Sequence, residues 1–356
     1  MNDKRKKEIR IDTPWFRFLN SALDAASNAL LSSKRMTSLD AAIFDTRNIA
    51  IHEGLHRIVD PRYKEWWYYD IQLDDGTDVS MSVVFSIVRT HWFVWVYNPA
   101  KGEVSEEIME DGPVRVNAWG GKTTAKKALS MTGPNFSING SFDQGYLFEF
   151  HGRTLTGLFH FRSPVPGRAE NHKGVSNTRY GLYQVPKMDV SGTLKYAGGT
   201  EARRVSGVGY HDHWWCIAHR VTRWNWMQAK FPGGWALSVY DAAYGYRAED
   251  HHRYGWIFTP AGKYEYFNTE SMDFQKGADG WTLAISGLAG SLRLEARSRV
   301  ERYEYKPVAL AGLFLGEVQY FQYPVSVKAI YTPVAGVPVP LKSGSGILEW
   351  DWLAVW

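Results

Sequence analysis

One cysteine, Cys216, occurs in 356 residues, which excludes an intrachain disulfide framework and any all-thiolate zinc site. No run of 18 apolar residues occurs, so no transmembrane-helix signal is present. The basic start, Lys4, Arg5, Lys6, Lys7 and Arg10, is not followed by a continuous apolar stretch with a cleavage motif, and a cytoplasmic location is expected. Glycine-rich dinucleotide, P-loop and nucleophile-elbow patterns at strand–helix junctions are missing, which argues against nucleotide use and serine hydrolysis. The net charge of +4 rests mainly on that N-terminal run, and no ordered basic patch follows it. No nucleic-acid partner is expected.

Aromatic residues are plentiful: 16 Trp, 20 Tyr and 17 Phe make up 15% of the chain, against 22% charged residues. Such a chain can offset its ordering entropy by burial, and aromatics favour strands and line apolar pockets. Near residues 12–40, Trp15, Phe16, Leu19, Leu23, Ala26, Leu30 and Leu31 fall near helical spacing. That predicts an N-terminal helical extension over 1–44, docked on the rest of the protein or in weak contact with a membrane surface. From "EWWYYDIQLDDGTDVSMSVVFSIV" onward, short Val-, Ile-, Tyr-, Phe- and Trp-rich runs alternate with polar residues and stop at turns such as Asp75-Gly76 and Asn139-Gly140. Strands at that spacing without helical patterns between them predict an all-β protein of antiparallel sandwiches or barrels. The Pro- and Gly-bearing stretch Ser163 to Val190 suggests a boundary, giving β-units over 45–185 and 186–356. Trp-rich strands in both halves, "EWWYYD" and "DHWWC", hint at duplication.

Two stretches carry a resemblance. "EWWYYDIQLDDGT" (Glu65 to Thr77) resembles the opening signature of the carotenoid 1,2-hydratase and AttH-like family. "GVGYHDHWWC" (Gly207 to Cys216), with the Trp224 and Trp226 pair downstream, resembles that family's second signature. Cys216 and Met227 stand where the family often has glycine. The resemblance spans roughly residues 50 to 356 and implies two tandem lipocalin-like antiparallel β-barrels packed together, with a ligand pocket at or near their junction. It also implies an enzyme without a cofactor, a hydratase of isoprenoid double bonds or a cyclase of polyenes. The competing expectation is a lipocalin-like carrier that binds a lipid without altering it.

On a strand, Tyr210, Asp212 and Trp214 face one way and His211, His213 and Trp215 the other. Proton delivery to an alkene inside an apolar cavity needs an acid, aromatic faces to stabilise a cation, and water to end the reaction. His213 is the first acid/base candidate and Asp241 the second, because histidine titrates near neutrality and a buried carboxyl can be raised enough to act as an acid. Tyr240 is a candidate hydrogen-bond donor, and Asp212 joins the catalytic set. Mapped onto this chain, the family's catalytic unit falls on His213, Trp215, Tyr240 and Asp241. Trp215, Trp224, Trp226, Tyr210, Trp66 and Trp67 are expected to bind substrate. Core packing is the competing reading for the tryptophans and for Glu65, the latter in a buried ion pair. His211 and His213 form a His-x-His pair, and "EDHHRY" (Glu249 to Tyr254) reads as a polar loop. No third ligand can be assigned by spacing, and no metal is expected.

Overall fold

The computed structural model describes residues 52–56, 58, 60, 63–86, 90–111, 113–117, 128–165, 167–173, 179–199, 201–217, 221–243, 251–267, 271–300, 302–310 and 313–355, together with Ala22 and Ala25. Among these, the secondary structure is almost entirely antiparallel strand, as expected. The helical extension expected over 1–44 lies outside the described residues except for Ala22 and Ala25, which are helical and exposed.

Twelve strands form the first sheet: β1 (Tyr63–Leu73), β2 (Asp78–Ser86), β3 (Thr90–Asn98), β4 (Glu103–Asp111), β5 (Arg115–Val116), β6 (Leu129–Thr132), β7 (Phe136–Ser141), β8 (Gly145–His151), β9 (Leu155–Arg162), β10 (Arg168–Lys173), β11 (Arg179–Tyr196) and β12 (Arg203–Ile217). Ten form the second: β13 (Val221–Phe231), β14 (Trp235–Ala243), β15 (His251–Phe258), β16 (Tyr264–Phe267), β17 (Asp273–Lys276), β18 (Trp281–Gly287), β19 (Gly290–Ser298), β20 (Arg302–Leu310), β21 (Leu313–Thr332) and β22 (Val339–Val355). Their orders are β4-β3-β2-β1-β12-β11-β9-β8-β7-β6-β5 and β16-β15-β14-β13-β22-β21-β19-β18-β17, with β10 paired to β11 and β20 to β21. Each sheet curls into a half-barrel.

The division expected at 185/186 falls inside β11, so it is corrected: the sheets part between Ile217 and Val221. The proline signal that suggested the boundary belongs to a strand irregularity instead. Pro186 sits where the β11–β12 register shifts between Val185 and Met188, a place where a strand tolerates a missing N–H. The two Trp-rich signatures likewise are not one per half. They are neighbours in one sheet, with Trp66 opposite Trp214, Trp67 opposite His213 and Tyr68 opposite Asp212.

Outer strands such as β9 and β18 alternate buried and exposed positions, the pattern of a sheet with one wet face. β1 and β12 do not. Gly209 to Ile217 are all buried, because one face of these strands fills the first half-barrel and the other meets the second sheet. Trp67, Tyr69, Tyr183 and Trp215 belong to the first core. Tyr68, Tyr210 and Trp214 pack with Trp224, Trp226, Tyr240 and Trp256 in a layer between the sheets.

That layer is pinned by polar contacts. Lys230 Nζ donates to Asp70 Oδ1 in a buried ion pair, and Gln228 Nε2 donates to Asp70 Oδ2 at 2.5 Å. Arg299 pairs with Asp78, the Trp95 indole donates to Gln322 Oε1, and Ser345 Oγ donates to Gln72 Oε1 at 2.9 Å. Among the described residues no helix is long and apolar enough to cross a membrane.

Candidate active site

A cavity opens in the layer between the sheets. β1 contributes Trp66 and Tyr68, β11 Leu182 and Gln184, and β12 Asp212 and Trp214. From the second sheet come Trp224, Trp226, Tyr240, Tyr254 and Glu349. The free space is ≈ 30 Å³, room for a water molecule or two. The ligand pocket expected at or near the junction corresponds to this narrow slot. Its walls interdigitate: Trp66 stacks on Trp224 at 5.9 Å and 12°, Tyr68 meets Trp226 edge-on at 5.3 Å, and Trp214 lies 5.0 Å from Tyr240.

Asp212 is one of two carboxyl side chains that line this slot, the other being Glu349. A directed hydrogen-bond chain fixes Asp212. An indole N–H can only donate, so Trp256 Nε1 donates to Gln184 Oε1 at 2.9 Å. The Gln184 amide nitrogen therefore points at Tyr210 and donates to its hydroxyl at 2.8 Å, leaving the Tyr210 proton for Asp212 Oδ2 at 2.9 Å. The other oxygen, Oδ1, is buried and has no hydrogen-bond partner. Burial pushes the Asp212 carboxyl well above the usual carboxylate range; the Tyr210 hydrogen bond opposes this, and the negative charges of Glu349 and Asp70 push it further up. Oδ2 already accepts from Tyr210, so a proton kept by this carboxyl would sit on Oδ1, which has no hydrogen-bond partner among the described residues.

Glu349 stands across the slot, where its Oε2 accepts from the Trp224 indole at 2.7 Å and its Oε1 from Gln322 Nε2 at 3.3 Å. Gln322 Nε2 also reaches the Tyr68 hydroxyl at 3.4 Å, and the Trp226 indole donates to Ser238 Oγ at 3.1 Å.

The structure divides the residues singled out in the sequence. Asp212, Trp66, Trp224, Trp226 and Tyr240 line the slot, and Tyr210 lies directly behind Asp212. His213, Trp215 and Trp67 do not reach it. They point into the first half-barrel, where His213 stacks on Trp67 at 4.3 Å and 19°. Asp241 lies on the face of β14 opposite Tyr240 and pairs with Arg253 at 2.9 Å. The reason in each case is the period of two: the carboxyl, not the imidazole, shares the slot's face. "EDHHRY" is also corrected in part, since His251 begins β15 and His252 Nε2 lies 2.6 Å from the Tyr180 hydroxyl.

Inside the first half-barrel a second set of titratable groups is completely buried. Glu65 Oε1 accepts from His213 Nε2 and from His56 Nδ1, each at 2.8 Å; these are buried hydrogen bonds, and would be the ion pair expected of Glu65 only with a protonated imidazole. Its Oε2 accepts from the His56 backbone N–H at 3.0 Å and from the Tyr63 hydroxyl. Burial raises the Glu65 carboxyl against the opposing pull of His213, and burial lowers His56 to about 3 and His213 to about 4. Deeper in, Glu53 accepts from the Phe142 N–H at 2.9 Å and from the hydroxyls of Tyr146 and Tyr183. Burial pushes it up to about 7.

His211 donates from Nδ1 to the Tyr68 carbonyl at 2.8 Å and lies 3.0 Å from the Tyr183 hydroxyl. It shares a face with His213 but not a ligand set. His52, Glu53, His56, Gln184 and Glu349 were not singled out in the sequence. The first three were visible as His-Glu-x-x-His, a spacing that signals zinc when it lies on a helix. Here it lies in irregular chain.

No protein-family model matches the chain, and no curated protein matches it in sequence. Solved structures do match in fold. A Nitrosomonas europaea protein described as an AttH superposes with a TM-score of 0.56 at 13% identity, over 82% of this chain and 92% of that one. Kievitone hydratase from Nectria haematococca superposes with a TM-score of 0.56 at 13% identity, over 87% of this chain and 94% of that one. The AttH-like resemblance read from the two signatures therefore holds at the level of fold.

Proposed function

We propose that the protein is a hydratase-type enzyme that adds water to a carbon–carbon double bond by acid catalysis, with Asp212 as the acid. The observation that carries this reading is Asp212 Oδ1, a buried, unpartnered oxygen of a carboxyl that burial pushes towards its protonated form, set in an aromatic slot. Asp212 Oδ1–H protonates one alkene carbon, and the electron pair of the double bond forms the new C–H bond. The cation left on the other carbon faces Trp66, Trp214, Trp224 and Trp226, whose π-faces attract positive charge, and the carboxylate formed on Asp212 attracts it too. A water molecule, for which the slot has room, adds its oxygen to the cation. It then returns one proton to Asp212 Oδ1, which closes the cycle.

The substrate class we propose is an isoprenoid or polyene whose reacting end reaches Asp212 past Trp66, the partly exposed tryptophan of the lining; the slot, with ≈ 30 Å³ of free space, must widen to admit it. A carrier reading draws no support here. Sites that enclose a whole ligand run to about 300–1,000 Å³, and sequestration has no use for a buried acid. The fold neighbour named as a hydratase is consistent with the reaction class.

The test is incubation of the full chain with linear isoprenoids and polyenes in ¹⁸O-labelled water. The expected result is a product heavier by one labelled water, formed by the wild type and not by Asp212→Asn. Turnover that persists in Asp212→Asn, or no labelled product from any of these alkenes, overturns the proposal.

A further inference from the structure

We propose that the first half-barrel contains a binding site for a divalent transition-metal ion, Zn(II) or Fe(II), with His56 Nδ1, Glu65 Oε1 and His213 Nε2 as its ligands. These three atoms lie within 4.8 Å of one another and belong to fully buried side chains. The site is distinct from the Asp212 slot: it occupies the opposite face of β1 and β12.

Four features favour a metal. Two imidazole nitrogens and one carboxylate oxygen form the ligand set typical of zinc and of non-haem iron. Each imidazole nitrogen is 2.8 Å from Glu65 Oε1. Metal bonds of about 2.0–2.2 Å place neighbouring ligand atoms about 3.0–3.4 Å apart, so the two nitrogen–oxygen separations need only a few tenths of an ångström of adjustment. The surroundings also orient the ligands as metal sites require. Glu65 Oε2 is occupied by the His56 N–H and the Tyr63 hydroxyl, which leaves Oε1 for an ion. His56 Nε2 lies 2.9 Å from His52 Nδ1, so a His56 bound through Nδ1 carries its proton on Nε2 and donates it to His52.

The rings are also held in place. His56 stacks on Trp215 at 4.5 Å and 19°, and His213 on Trp67 at 4.3 Å and 19°. His213 Nδ1 is buried without a partner among the described residues, so a ring bound through Nε2 carries its proton on Nδ1 with no protein acceptor; this nitrogen does not discriminate between the metal-free and metal-bound forms. Binding then needs no net proton release from either imidazole, because each shifts its tautomer.

The His-Glu-x-x-His spacing contributes one ligand, not two. His52 supports His56 from behind, and Glu53 turns away to Tyr146 and Tyr183. His211 is excluded because its Nδ1 is engaged by the Tyr68 carbonyl.

The test is elemental analysis of the full chain produced in medium supplemented with zinc or with ferrous iron, so that a buried site can load during folding. The wild type and Asp212→Asn are expected to retain about one ion per chain, and Glu65→Gln and His213→Gln to fall at least tenfold below that. Should those variants fail to fold, X-ray absorption at the metal edge of the wild type decides, with two imidazoles and a carboxylate expected. A wild type without stoichiometric metal from either medium, full metal retained in folded Glu65→Gln, or a coordination shell lacking imidazole overturns the proposal. None of these outcomes touches the hydration reading, which is read from Asp212.

Discussion

Asp212 and His213 are adjacent in sequence and do opposite things. The carboxyl sits between the sheets with one oxygen held by Tyr210, while the imidazole sits inside the first half-barrel on Glu65. Asp212→Asn is expected to lower hydration at least ~100-fold, the low end of what a positioned acid contributes, with thermal stability unchanged or higher because a buried acid has been removed. Tyr210→Phe leaves the acid in place but releases Oδ2, and is expected to reduce kcat by roughly tenfold with little change in KM. An equal loss in both parameters would assign Tyr210 to substrate binding instead.

Glu53 supplies a pH prediction. Its carboxyl is raised to about 7 in the folded chain from 4.5, so its contribution to stability is complete below about pH 4.5 and is lost as pH rises through 7. The buried imidazoles act in the opposite sense. His56, His211 and His213 are lowered from 6.5 to about 3, 3 and 4, so their contribution is present above 6.5 and lost as pH falls towards those values. Comparing wild type with Glu53→Gln by denaturant titration isolates the first effect. The difference between them should shrink by up to about 3 kcal/mol from pH 4.5 to 7.5. A difference independent of pH would refute the raised carboxyl.

At the level of the strand, alternation alone separates Tyr210, Asp212 and Trp214 from His211, His213 and Trp215. It does not reveal which face meets the second sheet. In a strand with one wet face, polarity settles that question; here both faces are buried and both carry polar and aromatic side chains, so the histidine face is the wrong one to choose for the slot. The same limit explains Asp241, one residue from Tyr240 and on the other side of β14. Residues 52–56, which close the Glu65 cluster, are irregular, and no periodicity announces them.

One tight contact tests the packing of these strands. A Cβ at Gly181 of β11 would stand 2.3 Å from the Trp215 ring, in a core where Trp215 is fully buried. Gly181→Ala should destabilise the chain by about 1–3 kcal/mol, read as a lower denaturation midpoint. A neutral result would mean that Trp215 has room the packing does not show.

The whole molecule is two curled sheets held face to face by an aromatic layer and buried ion pairs. The strand-rich composition was sufficient to predict the all-β class, and the two signatures to predict the fold family. The seam was not legible, because Pro186 marks a register shift in β11, while the sheets part only after β12, between Ile217 and Val221. Lys230 and Asp70 are 7% and 1% exposed, so removing one partner strands a buried charge. Lys230→Met is expected to cost about 3–5 kcal/mol, with most of it recovered in Lys230→Met/Asp70→Leu. An additive double variant would show that the pair does not couple the sheets.

The hydration account as a whole turns on whether the Asp212 carboxyl keeps its proton at neutral pH. Infrared difference spectroscopy of the full chain against Asp212→Asn at pH 7 measures this directly. The account predicts a protonated-carboxyl band present in the wild type and missing from the variant. A carboxylate band in its place would contradict it.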